Sequence, residues 1–219
     1  MPDFARARLN MVESQIRPNK VTDPAVLAAF SEAPREAFVD PALRGVAYID
    51  EDLPLKPGRC LIEPMVLARM IQALDVQPTD LVLDVGCATG YASVILAWLA
   101  STVVALESDP ELAAAARRNL AALSVDNVVV EEGPLDQGCA KQGPFDGILI
   151  EGRVAAVPKK LFDQLAPGGR LTAVVDDGDG VTGRAMLFQN TDGVIARRTL
   201  FDANTPPLPG FERHAQFVF

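Results

Sequence analysis

The sequence contains few of the residues that would place it in a specialised class of protein. It has three cysteines and one histidine among 219 residues, and Cys60, Cys87 and Cys139 form no CxxC pair. We therefore expect neither a disulfide framework nor a metal site, and the odd number of thiols favours a cytoplasmic protein. No apolar run is long enough to cross a bilayer and no signal peptide is recognisable, so we expect no membrane partner.

Positive charge is also scarce. The chain carries 20 Lys and Arg against 29 Asp and Glu, which gives a net charge of −9 and a pI of about 4.6. Because a nucleic-acid-binding surface is basic, we expect no nucleic-acid partner. A hydrophobic fraction of 49% with 22% charged residues is ordinary globular composition, and the length is sufficient for one domain with a full core.

The stretch Leu81–Tyr91, LVLDVGCATGY, is the most informative part of the chain. An almost continuous apolar run is followed by a turn bounded by Gly86 and Gly90, and a helical pattern begins directly after it. A buried parallel strand, a glycine turn and a helix N-terminus form a site suited to a nucleotide-like ligand. The two glycines allow the backbone to approach that ligand closely, because neither carries a Cβ.

The residues of the turn indicate which ligand to expect. A dinucleotide fingerprint has glycine at the first, third and sixth positions. Here Gly86, Ala88 and Tyr91 occupy those positions, so the third glycine is absent. Asp84, two residues before the turn, would repel a pyrophosphate and would suit an ammonium group.

A second carboxylate stands at the end of the next predicted strand. Glu107 closes the run Thr102–Glu107, at the position where a ribose diol is bound. The pattern D-x-G-x-x-x-G followed by a strand-terminal glutamate is similar to the S-adenosylmethionine site of class I methyltransferases. An ordinary strand–turn–helix unit of another α/β protein is the alternative.

The pattern along the chain changes near residue 60. Residues 1–60 are predicted to form a helical cap on the ligand side of the sheet, with helices over Phe4–Ile16 and from Pro24 onward. Residues 61–219 alternate between strands and helices, which predicts a mostly parallel sheet with helices on both faces. The expected strands after the glycine turn are 102–107, 127–131, 145–150 and 170–175, and the expected helix before Pro167-Gly168-Gly169 is 158–165. Three β-like runs, 184–189, 194–201 and 211–219, predict antiparallel strands at one edge.

Several segments resemble the protein-L-isoaspartate O-methyltransferase family. The similarity extends from about Arg8 to the end of the chain, and the segments PREAFV and AYIDEDLPL are specific to the family. The segments are PREAFV (34–39), AYIDEDLPL (47–55), the turn 84–91, FDGI (145–148), LAPGGRL (165–171) and FVF (217–219).

The resemblance implies a Rossmann-like class I methyltransferase fold, S-adenosylmethionine as cofactor and repair methylation of isoaspartyl residues in proteins or peptides. S-adenosylhomocysteine would be the product. It also implies which residues bind the cofactor: Asp84, Gly86, Cys87, Ala88, Thr89, Gly90, Tyr91, Glu107, Ser108, Pro134 and Leu135.

The chain departs from the family pattern where the methyl acceptor is expected. In the segment 58–64, GRCLIEP, Cys60 replaces a threonine and Ile62 replaces the serine credited with placing the acceptor carboxylate. Glu63 is the nearest polar substitute, and these three positions are the candidate catalytic residues. Near the cofactor, Pro134 stands where the family has an acidic residue that reaches the adenine.

The chemistry tolerates the missing serine. An ionised carboxylate is already a nucleophile, so methyl transfer needs positioning and exclusion of water and no general base. One lost hydrogen bond costs about 1–3 kcal/mol, or ~10- to 100-fold in rate. Two alternatives stay open: a catalytically silent family member that binds a ligand or partner, and a methyltransferase with a small-molecule acceptor, which Glu63 would accommodate if that acceptor were cationic.

Overall fold

The computed structural model describes residues 3–178 and 182–212, and it is built around one seven-stranded sheet. The helices are α1 (Phe4–Met11), α2 (Pro24–Glu32), α3 (Pro64–Leu74), α4 (Tyr91–Ala97), α5 (Pro110–Ala122) and α6 (Lys159–Phe162). The strands are β1 (Leu53–Lys56), β2 (Arg59–Leu61), β3 (Leu81–Val85), β4 (Thr102–Glu107), β5 (Val128–Glu132), β6 (Phe145–Val154), β7 (Leu165–Asp176), β8 (Gly183–Thr191) and β9 (Val194–Asp202). None of the helices in the described ranges is long and apolar enough to span a bilayer.

The main sheet has the order β5-β4-β3-β6-β7-β8-β9. The first five strands are parallel, whereas β8 and β9 each run antiparallel to the preceding strand, as the sequence predicted. The chain moves outward from β3 to β5 and then returns to the other side of β3. Ligands of open α/β sheets bind at such a switch point, outside the carboxyl ends of the strands.

Local sequence explains most helix boundaries. Asp23 and Asp109 cap α2 and α5 with their side-chain oxygens, and each is followed by a proline in the first turn. The prediction of a helix over 158–165 was too long, because α6 covers only Lys159–Phe162. Strand β7 already begins at Leu165 and includes the Pro-Gly-Gly segment, since pairing with β6 determines its start.

The N-terminal 60 residues, the cap, pack against the face of the sheet that includes Val82, and they share its core. Short 3-10 and π turns link α1, α2 and the hairpin β1–β2. One hydrophobic cluster joins Met11 and Phe30 of the cap to Leu67 of α3, Val82 of β3 and Ala203 near the C-terminus. A second cluster, on the opposite face, includes Leu83 and Ile148. The alternation of Val82 and Leu83 between the two clusters is the period-two pattern of a strand covered on both faces.

Residues 203–212, which we call the C-terminal strap, return to the carboxyl end of the sheet. The Leu208 N–H donates to the Arg153 carbonyl at 2.8 Å, and the Arg153 N–H donates to the Pro206 carbonyl at 3.0 Å. These bonds attach the strap to the end of β6. The predicted strand over 211–219 lies mostly outside the described residues.

Candidate cofactor and acceptor site

The predicted glycine turn connects β3 and α4, and three of its residues have left-handed backbone conformations. Gly86 and Gly90 have φ of +81° and +91°, and Ala88 between them is also left-handed, with φ of +51°. The Gly86 and Cys87 N–H groups donate to the Leu106 carbonyl at 2.8 and 3.2 Å. These bonds hold the turn against the end of β4, beside Glu107.

Three carboxyl groups lie buried at the carboxyl ends of β3, β4 and β6. Asp84 and Glu107 are fully buried and Glu151 is 5% exposed. Ser93 of α4 donates to Asp84 Oδ2 at 2.6 Å, and the carboxyl groups of Asp84 and Glu151 are close enough to share a proton. No other described residue donates a hydrogen bond to Asp84 Oδ1 or Glu151 Oε1.

Burial changes the acidity of this pair. Removal from water raises the pKa of Asp84 to about 6. Burial, followed by the charge of Asp84, raises the pKa of Glu151 well above its usual value. Two adjacent buried carboxyl groups with unpartnered oxygens form a site for a cation, because an ammonium group would replace the shared proton.

Arg59 of β2 supplies the positive charge that lies against these carboxylates. Its Nη1 and Nη2 donate to the two oxygens of Glu107, the latter at 2.6 Å, and Nη2 also donates to the Gly86 carbonyl at 2.9 Å. The backbone N–H groups of Ala88, Ser108 and Asp109 complete the shell around Glu107. The carboxylate predicted to bind a ribose is therefore engaged by an arginine 48 residues away in sequence.

Leu208 of the C-terminal strap lies directly over the glycine turn. A Cβ placed on Gly86 would be 3.0 Å from Leu208 Cδ1, and one on Gly152 would be 2.8 Å from Leu208 Cβ. Leu208 is itself 3% exposed. The strap therefore covers the ends of both β3 and β6, where the sequence predicts the ligand.

The remaining turn residues face the protein interior. Thr89 Oγ1 donates to the Phe38 carbonyl at 2.7 Å, which ties the turn to the cap. The Tyr91 ring is fully buried and contacts Phe30 and Phe38 edge-on, so its side chain is part of the core. Cys87 is also fully buried, and burial raises the pKa of its thiol well above the usual value.

The segments after β4 and β5 contain three further residues predicted to bind the cofactor, Ser108, Pro134 and Leu135. Ser108 is exposed, and its N–H donates to Glu107 Oε1 at 2.7 Å. Pro134 is exposed, while Leu135 is 2% exposed and begins a 3-10 turn. The Gly133 N–H donates to the Glu107 carbonyl at 3.0 Å, so the structure brings these segments together.

Ile62 is fully buried, and its backbone carbonyl accepts a hydrogen bond that holds the segment in place. Arg35, also fully buried, donates from Nη2 to the Ile62 carbonyl at 2.8 Å and from Nε to the Ala47 carbonyl at 2.8 Å. The guanidinium lies 5.0 Å from the centre of the Tyr91 ring. Arg35 thus fixes the segment 58–64 to the cap, while the Ile62 side chain packs in the core.

Cys60 lies beside a cavity of about 530 Å³ that is also lined by Asp52, Arg59 and Pro206. Burial raises the pKa of the Cys60 thiol to about 12, so it is neutral at physiological pH. Glu63 is half-buried, and its N–H donates to Asp52 Oδ1 at 2.8 Å. Burial and the nearby carboxylates of Asp52 and Asp50 raise the pKa of Glu63 to about 7.

Sequence reasoning missed three residues of this region: Arg59, Glu151 and Leu208. Glu151 had a detectable signal, because a charged residue within the apolar run ILIEGRV is unusual for a buried strand. The same run contains Arg153, which is 7% exposed and has two nitrogens without a hydrogen-bond partner among the described residues. No cluster of three potential metal ligands was found within the described part of the chain.

The parallel sheet with its antiparallel edge, the glycine turn at the switch point and the acidic strand ends define a Rossmann-like class I methyltransferase fold. A model of the protein-L-isoaspartate(D-aspartate) O-methyltransferase family matches residues 6–202. The chain therefore belongs to this family, as its sequence motifs indicated.

Two relatives illustrate the extent of the match. The protein-L-isoaspartate O-methyltransferase of Koribacter versatilis is 38% identical over 207 residues, which cover 94% of this chain and 92% of the relative. That of Methylorubrum extorquens is 42% identical over 182 residues, which cover 83% and 79%. The similarity therefore includes both the cap and the sheet.

Solved structures support the fold. A protein-L-isoaspartate O-methyltransferase superposes with a TM-score of 0.81 at 23% identity, covering 93% of this chain and 67% of the other. A Plasmodium falciparum protein described as a putative member of the family, in complex with S-adenosyl-L-homocysteine, gives 0.78 at 21% identity and covers 93% and 98%. The full-length coverage of the second shows that the whole architecture is shared.

Proposed function

We propose that this chain is an S-adenosylmethionine-dependent carboxyl O-methyltransferase that acts on isoaspartyl residues of proteins or peptides. Family membership and the buried acidic strand ends support the proposal. The observation that carries it is the buried pair Asp84 and Glu151, whose oxygens receive no donor from the other described residues and would accept the ammonium group of an S-adenosyl ligand. Three free cysteines are consistent with a cytoplasmic protein.

The residues fit the cofactor at the turn and at the carboxyl pair. Gly86 and Gly90 would allow the backbone to approach the nucleoside, Asp84 and Glu151 would bind the ammonium, and Glu107 would bind the ribose diol once Arg59 is displaced. The cofactor supplies an electrophilic methyl group on a sulfonium. The chain's own contribution is to bind and orient the two reactants and to exclude water.

The acceptor carboxylate is ionised at neutral pH and requires no base. Residues 58–64 would form its pocket, beside the cavity lined by Cys60 and Asp52. Ile62 offers no side-chain donor, so the backbone held by Arg35 has to determine the shape of this pocket. Positioning by shape is sufficient for a reaction in which no proton has to be removed from the nucleophile.

The proposal is tested by transfer of labelled methyl to an isoaspartyl peptide, with the matching aspartyl peptide as control. We expect base-labile label on the isoaspartyl peptide alone. Equal labelling of both peptides, or no label above background from folded protein, would reject the assignment of the acceptor. A binding measurement with S-adenosylhomocysteine on the same preparation would show whether the cofactor assignment survives that result.

Restoring the family serine with Ile62→Ser tests separately how residue 62 affects the methylation rate and how it affects the stability of the core. Because Ile62 is fully buried, Ile62→Ser should lower the free energy of unfolding by about 2–4 kcal/mol, from lost apolar burial and a buried hydroxyl. We expect no gain in methylation rate. Chemical denaturation and the peptide assay measure the two effects, and a clear rise in rate would show that the side chain reaches the acceptor.

One observation favours a second candidate, methylation of a cationic small molecule. Asp52 and Glu63 lie together beside the acceptor segment, and Asp52 lines its cavity. The raised pKa of Glu63, about 7, would also allow it to receive a proton from an amine acceptor. Label transferred to small amines in the absence of peptide would support this alternative over protein repair.

A further inference from the structure

We propose that Arg59 is an internal occupant of the cofactor site, which an S-adenosyl ligand must displace to bind. Arg59 thereby sets the affinity and charge preference of the site. This inference rests on the proposed cofactor, but it concerns ligand binding and is independent of the methyl acceptor.

The first argument is the completeness of the shell around Glu107. Two guanidinium N–H groups and three backbone N–H groups already donate to its oxygens. Two carboxylate oxygens offer about four acceptor positions. A ribose diol can therefore hydrogen-bond to Glu107 only if Arg59 withdraws.

The second argument is charge. Arg59 forms an ion pair with the buried Glu107, and its positive charge also acts on the buried carboxyl groups of Asp84 and Glu151. Its withdrawal alone would leave Glu107 without an ion-pair partner in a site almost free of solvent. A ligand that brings an ammonium and a sulfonium compensates for the lost ion pair. Binding therefore exchanges the guanidinium of Arg59 for the cationic groups of the ligand.

The third argument is that a second element occupies the same space. Leu208 lies within 3.0 Å of the position of a Gly86 Cβ, and Arg59 Nη2 lies 3.5 Å from that same position. The surface of Gly86 that the ligand requires is thus covered both by Arg59 of β2 and by Leu208 of the C-terminal strap. Two independent segments fill the place of one ligand.

The hairpin that carries Arg59 is anchored so that the side chain alone has to move. Lys56 of β1 pairs with Asp109 at 2.7 Å and with Glu111 at 2.6 Å, at the start of α5. Arg59 also lines the cavity of about 530 Å³ next to Asp52. That cavity provides space and a carboxylate for the displaced guanidinium while the hairpin stays in place.

The test is calorimetric binding of S-adenosylhomocysteine and of sinefungin, an analogue with an amine in place of the sulfonium, to the full chain. An internal competitor lowers the apparent affinity in proportion to the fraction of molecules in which Arg59 has left the site. Arg59→Gln should therefore bind S-adenosylhomocysteine about 10- to 100-fold more tightly than the unsubstituted protein does. Leu208→Ala should tighten binding in the same direction. Sinefungin, which carries one more positive charge than S-adenosylhomocysteine, should bind the unsubstituted protein more tightly.

Arg117→Gln is the matched control. Arg117 forms an exposed ion pair with Glu132 at 2.6 Å, outside the group of buried carboxyls, so its removal should leave ligand affinity unchanged. Arg59→Lys, which keeps the charge but loses the two-pronged contact, should give an intermediate affinity. Thermal melting establishes that each variant is folded.

Equal or weaker binding by folded Arg59→Gln would overturn the inference, because Arg59 would then be a spectator or a ligand contact. Tighter binding by this variant, with no methylation of isoaspartyl peptide by any protein, would support the inference and reject the proposed acceptor. Absence of S-adenosylhomocysteine binding in every folded variant would reject both the inference and the proposed cofactor.

Discussion

Replacement of Arg35 by alanine is expected to lower the free energy of unfolding by about 3–5 kcal/mol. Arg35 is fully buried and bridges the Ala47 and Ile62 carbonyls, each at 2.8 Å. Alanine would leave both acceptors without a donor and would open a void against the Tyr91 ring. Urea denaturation monitored by far-UV circular dichroism measures the change.

Arg44→Ala is the corresponding control, because Arg44 belongs to the same N-terminal region but is exposed. Its replacement should change stability by less than about 0.5 kcal/mol. Arg35→Lys should lie between the two, since a lysine can satisfy one carbonyl but not both. A loss below about 1 kcal/mol for Arg35→Ala would show that the cap does not depend on this bridge.

Binding of S-adenosylhomocysteine is expected to release a proton and to weaken about tenfold between pH 7 and pH 5. The pKa of Asp84 is raised to about 6, so this carboxyl is mostly protonated below that pH and ionised above it. Only the ionised form attracts the ammonium of the ligand, so affinity falls as the pH falls through 6. Calorimetry in two buffers with different ionisation enthalpies measures the released proton directly.

Asp84→Asn should remove most of this pH dependence and weaken binding at neutral pH by about 2 kcal/mol, or ~30-fold. Ser93→Ala, which deletes the donor to Asp84 Oδ2, should shift the midpoint of the pH profile upward, because the ionised form loses a hydrogen bond. A flat profile in the unsubstituted protein would show that the ligand's ammonium binds elsewhere.

The same raised pKa affects folding. In the unfolded chain Asp84 returns to an ordinary pKa near 4, so between about pH 4 and pH 6 the folded protein binds more protons than the unfolded one. The contribution of Asp84 to stability is therefore greatest below this window and falls as the pH rises through it. Ligand binding offsets that loss at neutral pH, because it supplies the ionised carboxylate with a partner.

Those parts of the site that depend on local pattern were predictable from the sequence. The strand β3, the glycine turn after it and the two acidic residues near the strand ends follow from residue spacing within Leu81–Glu107. Strand β4 has the predicted limits, because period and turn signals agree there. Family membership and fold were likewise predicted from short motifs.

The occupants of the site were not predictable, because they come from distant segments without local signals. Arg59 reaches Glu107 across 48 positions, and a lone arginine in a hairpin does not specify its partner. Leu208 belongs to a proline-rich stretch without helical or strand periodicity. Glu151 could have been singled out, since a charge in a buried strand requires a partner, but its neighbour Asp84 follows only from the strand order.

The shared core also has a consequence for how the protein is made. Met11 and Phe30, near the beginning of the chain, belong to the same hydrophobic cluster as Ala203, near its end. On a ribosome the cap helices emerge before strand β3 and well before strand β8, whose Ala185 belongs to the same cluster. The complete core therefore forms late, because it needs residues that are far apart in sequence, and part of the apolar surface stays exposed until those residues have been synthesised.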